Sequence, residues 1–313
     1  MWLKNFKSGF YGLCKKSVNK GVVTFLDAYF CVWYDGQVCC YSLQKAEWSA
    51  DIVMGRDRYF FLRKVIDKQS NSFYLYLNTF FPQGIIELLN ELSKQTDLYI
   101  FSGVIKNFLL GFIEHRDLDL VINHTRNLKI HIGKLRDLGL TEIRRNKFNG
   151  VKLVLDDWEV DIWRLEDTKG IIEQFLLPTT DNLIRTSFFN FSAIVYDFKN
   201  ERFIYGDDFC RFLLRRELDV VYEENPFAES CIVSTMYYAE KYELSIGKKL
   251  CHWIVVHYDE NMNFRQVQIR RFGRKIYSNR VIRNFVLVLE DNPNARVKRM
   301  IRIFDSLNIE IEN

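Results

Sequence analysis

Apolar and polar positions along the chain change their period several times, and each change marks an element. In the first 80 residues the runs are strand-like: VVTFL at 22–26, then YFCVWY and VCCYSL on either side of Asp35-Gly36, a hairpin turn pair, then RYFFLRKVI and SFYLYL. From Ile85 the spacing becomes helical, with Leu88, Leu89 and Leu92 falling on one face. DLYIF (97–101) is a short apolar run that ends at Ser102-Gly103 and predicts a strand followed by a helix through Leu110. DLDLVI (117–122) predicts another strand, and Leu128, Ile132 and Leu135 predict a helix that stops at Gly139. VKLVLDD and WEVDIW (151–163) predict a hairpin with Asp156-Asp157 at its turn. Beyond Asn225-Pro226 the pattern is mostly helical.

This order predicts an α/β (α+β) fold, a mixed sheet domain followed by a mainly helical part. Three regions are expected: 1–81, partly β and without an assignable motif; 82–205, the sheet domain; and 206–313, helical with a basic end. Apolar residues make up 48% of the 313 positions and aromatic residues 15%, enough for a large core. No apolar run approaches the eighteen residues of a membrane span, and the N-terminal segment has no signal-peptide core. Cys14, Cys31, Cys39, Cys40, Cys210, Cys231 and Cys251 include no CxxC pair, so reduced thiols in a cytoplasmic protein are expected.

The chemistry concentrates in the predicted sheet. Residues two apart on a strand project to one face, so Asp117 and Asp119 can reach one metal cluster. Mg²⁺, or Mn²⁺ in its place, takes oxygen ligands and bridges carboxylates to phosphates, and two such ions serve in-line phosphoryl displacement. WEVDIW supplies a third carboxylate in Asp161, with Glu159 on the same face as its rival. Ser102-Gly103 before a helix lets the backbone approach a triphosphate at the helix N-terminus. A lone DxD or Ser-Gly is commonplace. The succession of strand, Ser-Gly, helix, DxD strand, helix and acidic hairpin is what selects the catalytic reading, because unpaired carboxylates within a sheet are costly without a ligand.

Residues 262–302 hold eleven Lys or Arg against Glu290 and Asp291. Arg270, Arg271, Arg274 and Lys275, with Phe264, Phe272 and Tyr277 between the cations, fit a phosphate backbone with aromatic faces for unstacked bases; a solvated basic helix is the alternative. His115, His252 and His257 are expected in loop or packing roles.

The same residues carry a resemblance. SGVIKNFLLG (102–111) resembles the GGxVRDxLLG opening of CCA-adding enzymes and bacterial poly(A) polymerases, in the DNA polymerase β-like nucleotidyltransferase superfamily. RDLDLVI resembles their DxD strand, and EVDIWR (159–164) is similar to their EVxxFR segment. IRTSFFNFSAIVYD (184–197) and ENPFAESCIVSTMYYAEKYEL (224–244) look like degenerate forms of RRDFTINALxYD and of the EDPLRxLRAxRFA helix. The resemblance covers about 82–245. It implies NTP substrates, Mg²⁺ and transfer of a nucleoside monophosphate to an RNA 3′ end, with Asp117 and Asp119 as metal ligands. It further implies that Ser102 and Gly103 contact phosphate, that Lys106 stands where the family has an arginine, and that Arg164 and Arg185 occupy arginine positions of the nucleotide site. Val-Arg-Asp has become Ile105-Lys106-Asn107, the RRD aspartate has no clean equivalent, and Ala228 and Ser234 stand near expected arginines. Strict C-then-A selection is therefore not expected. A protein acceptor or an oligonucleotide signal, as in toxin or defence members, and a catalytically silent RNA-binding module are the other readings.

Overall fold

The computed structural model describes residues 23–26, 29–34, 37–42, 55–112, 117–123, 141–145, 149–155 and 157–291. The chain divides into two compact units, Met1–Phe81 with Asn107–Glu114, and Pro82–Lys106 with His115–Asn313.

In the first unit β1 (Val23–Leu26), β2 (Tyr29–Tyr34) and β3 (Gln37–Ser42) form an antiparallel meander. Tyr34 pairs with Gln37, as the expected hairpin requires. The strand-like reading of RYFFLRKVI and SFYLYL is corrected: both lie in one helix, α1 (Gly55–Phe80). Leu62, Ile66, Phe73, Tyr76 and Leu77 are buried at three- and four-residue intervals, the helical period, although many of the residues carrying it are aromatic or β-branched strand formers. Phe108 packs edge-on to Phe73, with ring centroids 5.1 Å apart.

The second unit begins with α2 (Gln83–Gln95), which buries Ile85, Ile86, Leu88, Leu89 and Leu92, and continues into β4 (Asp97–Phe101) and α3 (Gly103–Leu110), whose last residues belong to the first unit. β5 (Asp117–Asn123), β6 (Thr141–Arg145), β7 (Val151–Leu155) and β8 (Trp158–Arg164) follow. The helix expected around Leu128–Leu135 lies outside the described residues. After a 3₁₀ turn at Leu165–Asp167 come α4 (Lys169–Glu173) and α5 (Thr180–Arg185), a second 3₁₀ turn at Asn190–Ser192, and the hairpin β9 (Ile194–Asp197) and β10 (Arg202–Tyr205). The helical part is α6 (Asp207–Arg215), α7 (Ala228–Lys241), α8 (Lys248–His257), α9 (Phe264–Phe272) and α10 (Asn279–Asp291), with β11 (Glu217–Leu218) and β12 (Ser245–Ile246) as a short parallel pair.

Seven strands form one mixed sheet in the order β10-β9-β4-β5-β8-β7-β6. Every described pair in it is antiparallel except β5 with β8. Along the central strands, side chains alternate between a core and a polar face. Leu118, Leu120, Ile122, Leu153, Val160 and Ile162 are buried, while Asp117, Asp119, Lys152, Glu159 and Asp161 occupy the alternate positions.

Asn190 fastens the sheet domain to the helical part. Its amide donates to the Glu217 carbonyl at 2.9 Å, its Oδ1 accepts from Asp219 N at 3.0 Å, and its own N–H donates to the Asp219 carbonyl. The Asp219 carboxylate in turn accepts from Leu250 N in the first turn of α8. Asn190→Ala leaves buried backbone groups unsatisfied and is expected to cost roughly 1–3 kcal/mol, read as a lower midpoint in thermal or urea unfolding.

Candidate active site

Parallel pairing of β5 and β8 sets Asp117 beside Glu159 and Asp119 beside Asp161. The two-residue turn between β7 and β8 sets Lys152 opposite Asp161, and β6 adds Arg144 opposite Lys152. One row across the polar face thus reads Asp119, Asp161, Lys152, Arg144, two negative charges followed by two positive. Lys152 Nζ pairs with Glu159 Oε2 and lies 3.8 Å from Asp161 Oδ2. It was not among the residues singled out from the sequence. The signal was present, because a two-residue turn at Asp156-Asp157 fixes which residue faces Asp161.

Like charges held together in a sheet resist ionisation. Burial first, then the charges of Asp161 and Asp117, push the Asp119 carboxyl up to about 7, against the pull of Lys106 and Lys152. Burial and Glu159 raise Asp117. Burial also raises Asp161, although Lys152 and Arg144 oppose it. Burial pulls the Lys152 ammonium down, but its hydrogen bond to Glu159 and the surrounding carboxylates outweigh that and raise it.

The turn between β4 and α3 brings backbone to this face. A Cβ on Gly103 would meet Asp119 Oδ2 at 3.9 Å, so the first turn of α3 stands next to the carboxylate. Ser102 is buried, with φ 48° in the left-handed region, and is anchored by its N–H to the Ile194 carbonyl at 3.1 Å. One turn on, Lys106 is buried in an aromatic cage, its Nζ 4.2 Å from the Phe191 centroid, 4.8 Å from Tyr242 and 4.9 Å from Tyr238. Burial, then Lys241, lower its ammonium to about 7; Asp119 favours the charge and Arg271 opposes it. The lysine expected to reach a phosphate is therefore held by π faces.

The second unit also holds a cavity of about 370 Å³, which none of the row's own residues lines. Trp163, two positions beyond Asp161 on the same side of β8, lines it together with Phe101, Phe188 and Tyr222, and Trp163 is edge-on to Phe101 at 5.9 Å. Thr186, Ser187, Glu224 and Asn225 also line it, drawn from the two degenerate segments named above. Much of this polar lining is already engaged. Thr186 and Ser187 donate to backbone carbonyls, Glu224 accepts from Gln174 at 2.6 Å, and Asn225 Oδ1 accepts from Phe227 N.

The two other arginines stand apart from the carboxylate row. Arg164 falls on the alternate side of β8 and is bidentate to Asp167, at 2.6 and 2.9 Å, with Glu166 at 2.5 Å. Arg185 is exposed on α5. On the basic segment, Arg270, Arg274 and Lys275 are exposed, whereas Arg271 donates to Tyr238 Oη at 3.2 Å. The expectation of aromatic faces there is corrected. Phe264 is buried on α9, Tyr277 is buried in the loop before α10 with its hydroxyl donating to Glu240 at 2.7 Å, and Phe272 packs on Tyr237 at 4.6 Å. Arg296, Lys298, Arg299 and Arg302 lie outside the described residues, as does His115. His257 stacks on Trp253, a packing role.

The mixed sheet with its helical continuation is similar in fold to solved CCA-adding enzymes. A CCA-adding enzyme solved with CTP matches at 16% identity and TM-score 0.51, over 75% of this chain and 60% of that one. The Thermotoga maritima CCA-adding enzyme complexed with tRNA matches at 15% and 0.50, over 75% and 59%. An apo CCA-adding enzyme matches at 14% and 0.50, over 74% and 58%. The chain thus spans about three-fifths of the length of these structures. No family model and no curated protein sequence matches it.

A carboxyl raised on folding stabilises the fold fully below its unfolded value, and that contribution is lost as pH rises through its folded value. For Asp119 the window runs from the ordinary carboxylate range to about 7. Asp119→Asn is therefore expected to melt above wild type without metal at about pH 8, with the gap closing at about pH 5. Melting curves at both pH values check this, and a gap unchanged by pH would contradict it.

Proposed function

We propose that this chain transfers a nucleoside monophosphate from an NTP to a hydroxyl, with an RNA 3′ end as the acceptor, in a metal-dependent reaction that releases pyrophosphate. The observation that carries this reading is the parallel register that aligns Asp117 and Asp119 with Glu159 and Asp161, on a strand whose Trp163 lines an aromatic cavity. In this reading residues 82–205 are the catalytic domain and 206–313 the helical neck and basic region.

The donor set fits a hard dication. Among the described residues no group of three or more His, Cys, Asp or Glu side chains is placed as a ready metal site. Yet burial, with the charge of neighbouring carboxylates added, raises Asp117, Asp119 and Asp161, and carboxylate oxygens are the ligands that Mg²⁺ or Mn²⁺ prefers. Bound there, the ion would draw the triphosphate oxygens in and offset the charge that develops on the leaving pyrophosphate. Gly103 leaves Asp119 unobstructed, and the first N–H groups of α3 can face phosphate oxygens. Trp163 and its aromatic neighbours offer stacking faces for a base. The hydroxyl oxygen bonds to the α-phosphorus as the bond to the bridging oxygen breaks, so positioning and charge supply most of the catalysis.

Asp117→Asn and Asp119→Asn are expected to abolish transfer from α-labelled NTP while leaving the fold intact, and Asp161→Ala to cost more than Glu159→Ala. The cavity has no unpaired arginine among its lining residues, so extended RNA ends are expected to lack a strict CCA order. Labelling of total RNA, protein or free nucleotide tells the acceptors apart; a protein product, an oligonucleotide product or no product would overturn the RNA reading.

The exposed cations of the basic segment suit an RNA backbone. Neutralising Arg270, Arg274 and Lys275 together is expected to weaken RNA binding and lower its salt slope by about 2–3, with NTP binding unchanged, because fewer counterions are released. Affinities measured across a salt series test it, and equal slopes would leave this segment an ordinary solvated surface.

A further inference from the structure

Lys152 has no part in the transfer chemistry above, yet it stands among that chemistry's carboxylates. It faces Asp161 across the β7–β8 hairpin, and its ammonium is paired with Glu159 and only 3.8 Å from Asp161. Its side chain is 19% exposed, so the charge has little room to retire into solvent. On its other flank Arg144 occupies the next place in the row, and repulsion between the two cations favours the acidic side. Asp161 is in register with Asp119, while Glu159 is in register with Asp117, one pair nearer the start of both strands.

We propose that Lys152 is a resident counter-cation of the carboxylate site: it holds Glu159 out of the metal-binding set and screens Asp161 until a divalent cation displaces it, leaving Asp161 as the third ligand. This rests on the reading of Asp117, Asp119 and Asp161 as a metal site. Lys152 is a positioning residue, because it acts through Glu159 and Asp161 and contacts no substrate. Two unequal contacts support the assignment. The pairing with Glu159 is close and that with Asp161 is long, so a dication can take Asp161 while Lys152 keeps Glu159. A cation fixed in the fold also limits the self-repulsion that four carboxylates would suffer in the metal-free protein.

The test is Mn²⁺ binding to the full, metal-free chain, followed by electron paramagnetic resonance and without substrate. Removing the competing charge with Lys152→Met is expected to tighten Mn²⁺ binding about tenfold, the effect of one partly screened charge on an equilibrium constant. Lys152→Arg keeps the charge and should bind near the wild-type level. Glu159→Gln frees Lys152 for Asp161 and should weaken binding, but the same change made on Lys152→Met should do nothing. If Lys152→Met melts too low to study, Lys152→Gln carries the same expectation. Equal or weaker Mn²⁺ binding in Lys152→Met and Lys152→Gln overturns the proposal, as does a Glu159→Gln effect of the same size in both backgrounds, which would make Glu159 a ligand. Asp119→Asn separates the two levels of failure. If Mn²⁺ binding depends on Asp119 but not on Lys152, only the counter-cation role falls; if it ignores Asp119, the metal-site reading falls with it.

Discussion

The candidate site depends on one pairing, the parallel contact of β5 with β8 inside a sheet whose other described pairs are antiparallel. Parallel neighbours keep their side chains in step, so a carboxylate at every second position of both strands becomes a block of four at one edge. Antiparallel pairing of the same strands would bring the start of one beside the end of the other and disperse the charge. The sheet can hold this block because the core lies against its reverse face: Leu118, Leu120, Val160 and Ile162 are buried and fix which side the acids take. The core therefore sets the electrostatics of the site, and the raised carboxyls are the strain that results.

Much of this was legible before the structure. Alternation in DLDLVI and WEVDIW located both strands and the face that Asp117, Asp119 and Asp161 share, and the spacing of Leu88, Leu89 and Leu92 located α2. The failure at α1 has a physical cause. Residues such as Tyr59, Phe60, Val65, Phe73 and Tyr76 favour strands locally, and only the burial of Leu62, Ile66, Phe73 and Leu77 together reveals the helical period. Lys152 was missed because attention to acids passes over a cation whose meaning depends on register. Lys106 was found, but its surroundings were out of reach. Phe191, Tyr238 and Tyr242 arrive from a 3₁₀ turn and a helix more than eighty residues away in sequence.

The cavity and the caged lysine point the same way about specificity. Several polar side chains that line the cavity are already engaged: Thr186 and Ser187 with backbone carbonyls, Glu224 with Gln174. The lining adds ring surface from Phe101, Trp163, Phe188 and Tyr222 and the charged Asp167, Lys169 and Glu173, with no arginine among them. Stacking tolerates any base, whereas an arginine fork does not. Under the proposed function, such a pocket would discriminate by shape more than by hydrogen-bond pattern.

The two-residue turn at Asp156-Asp157 also bears on the order in which the site assembles. β7 and β8 adjoin in the chain, and a tight hairpin closes within microseconds. β5 meets β8 only by closing a loop of about forty residues, a slower and non-local event. Asp161 is therefore covered by Lys152 early in folding, and Asp117 and Asp119 arrive at a partner already screened.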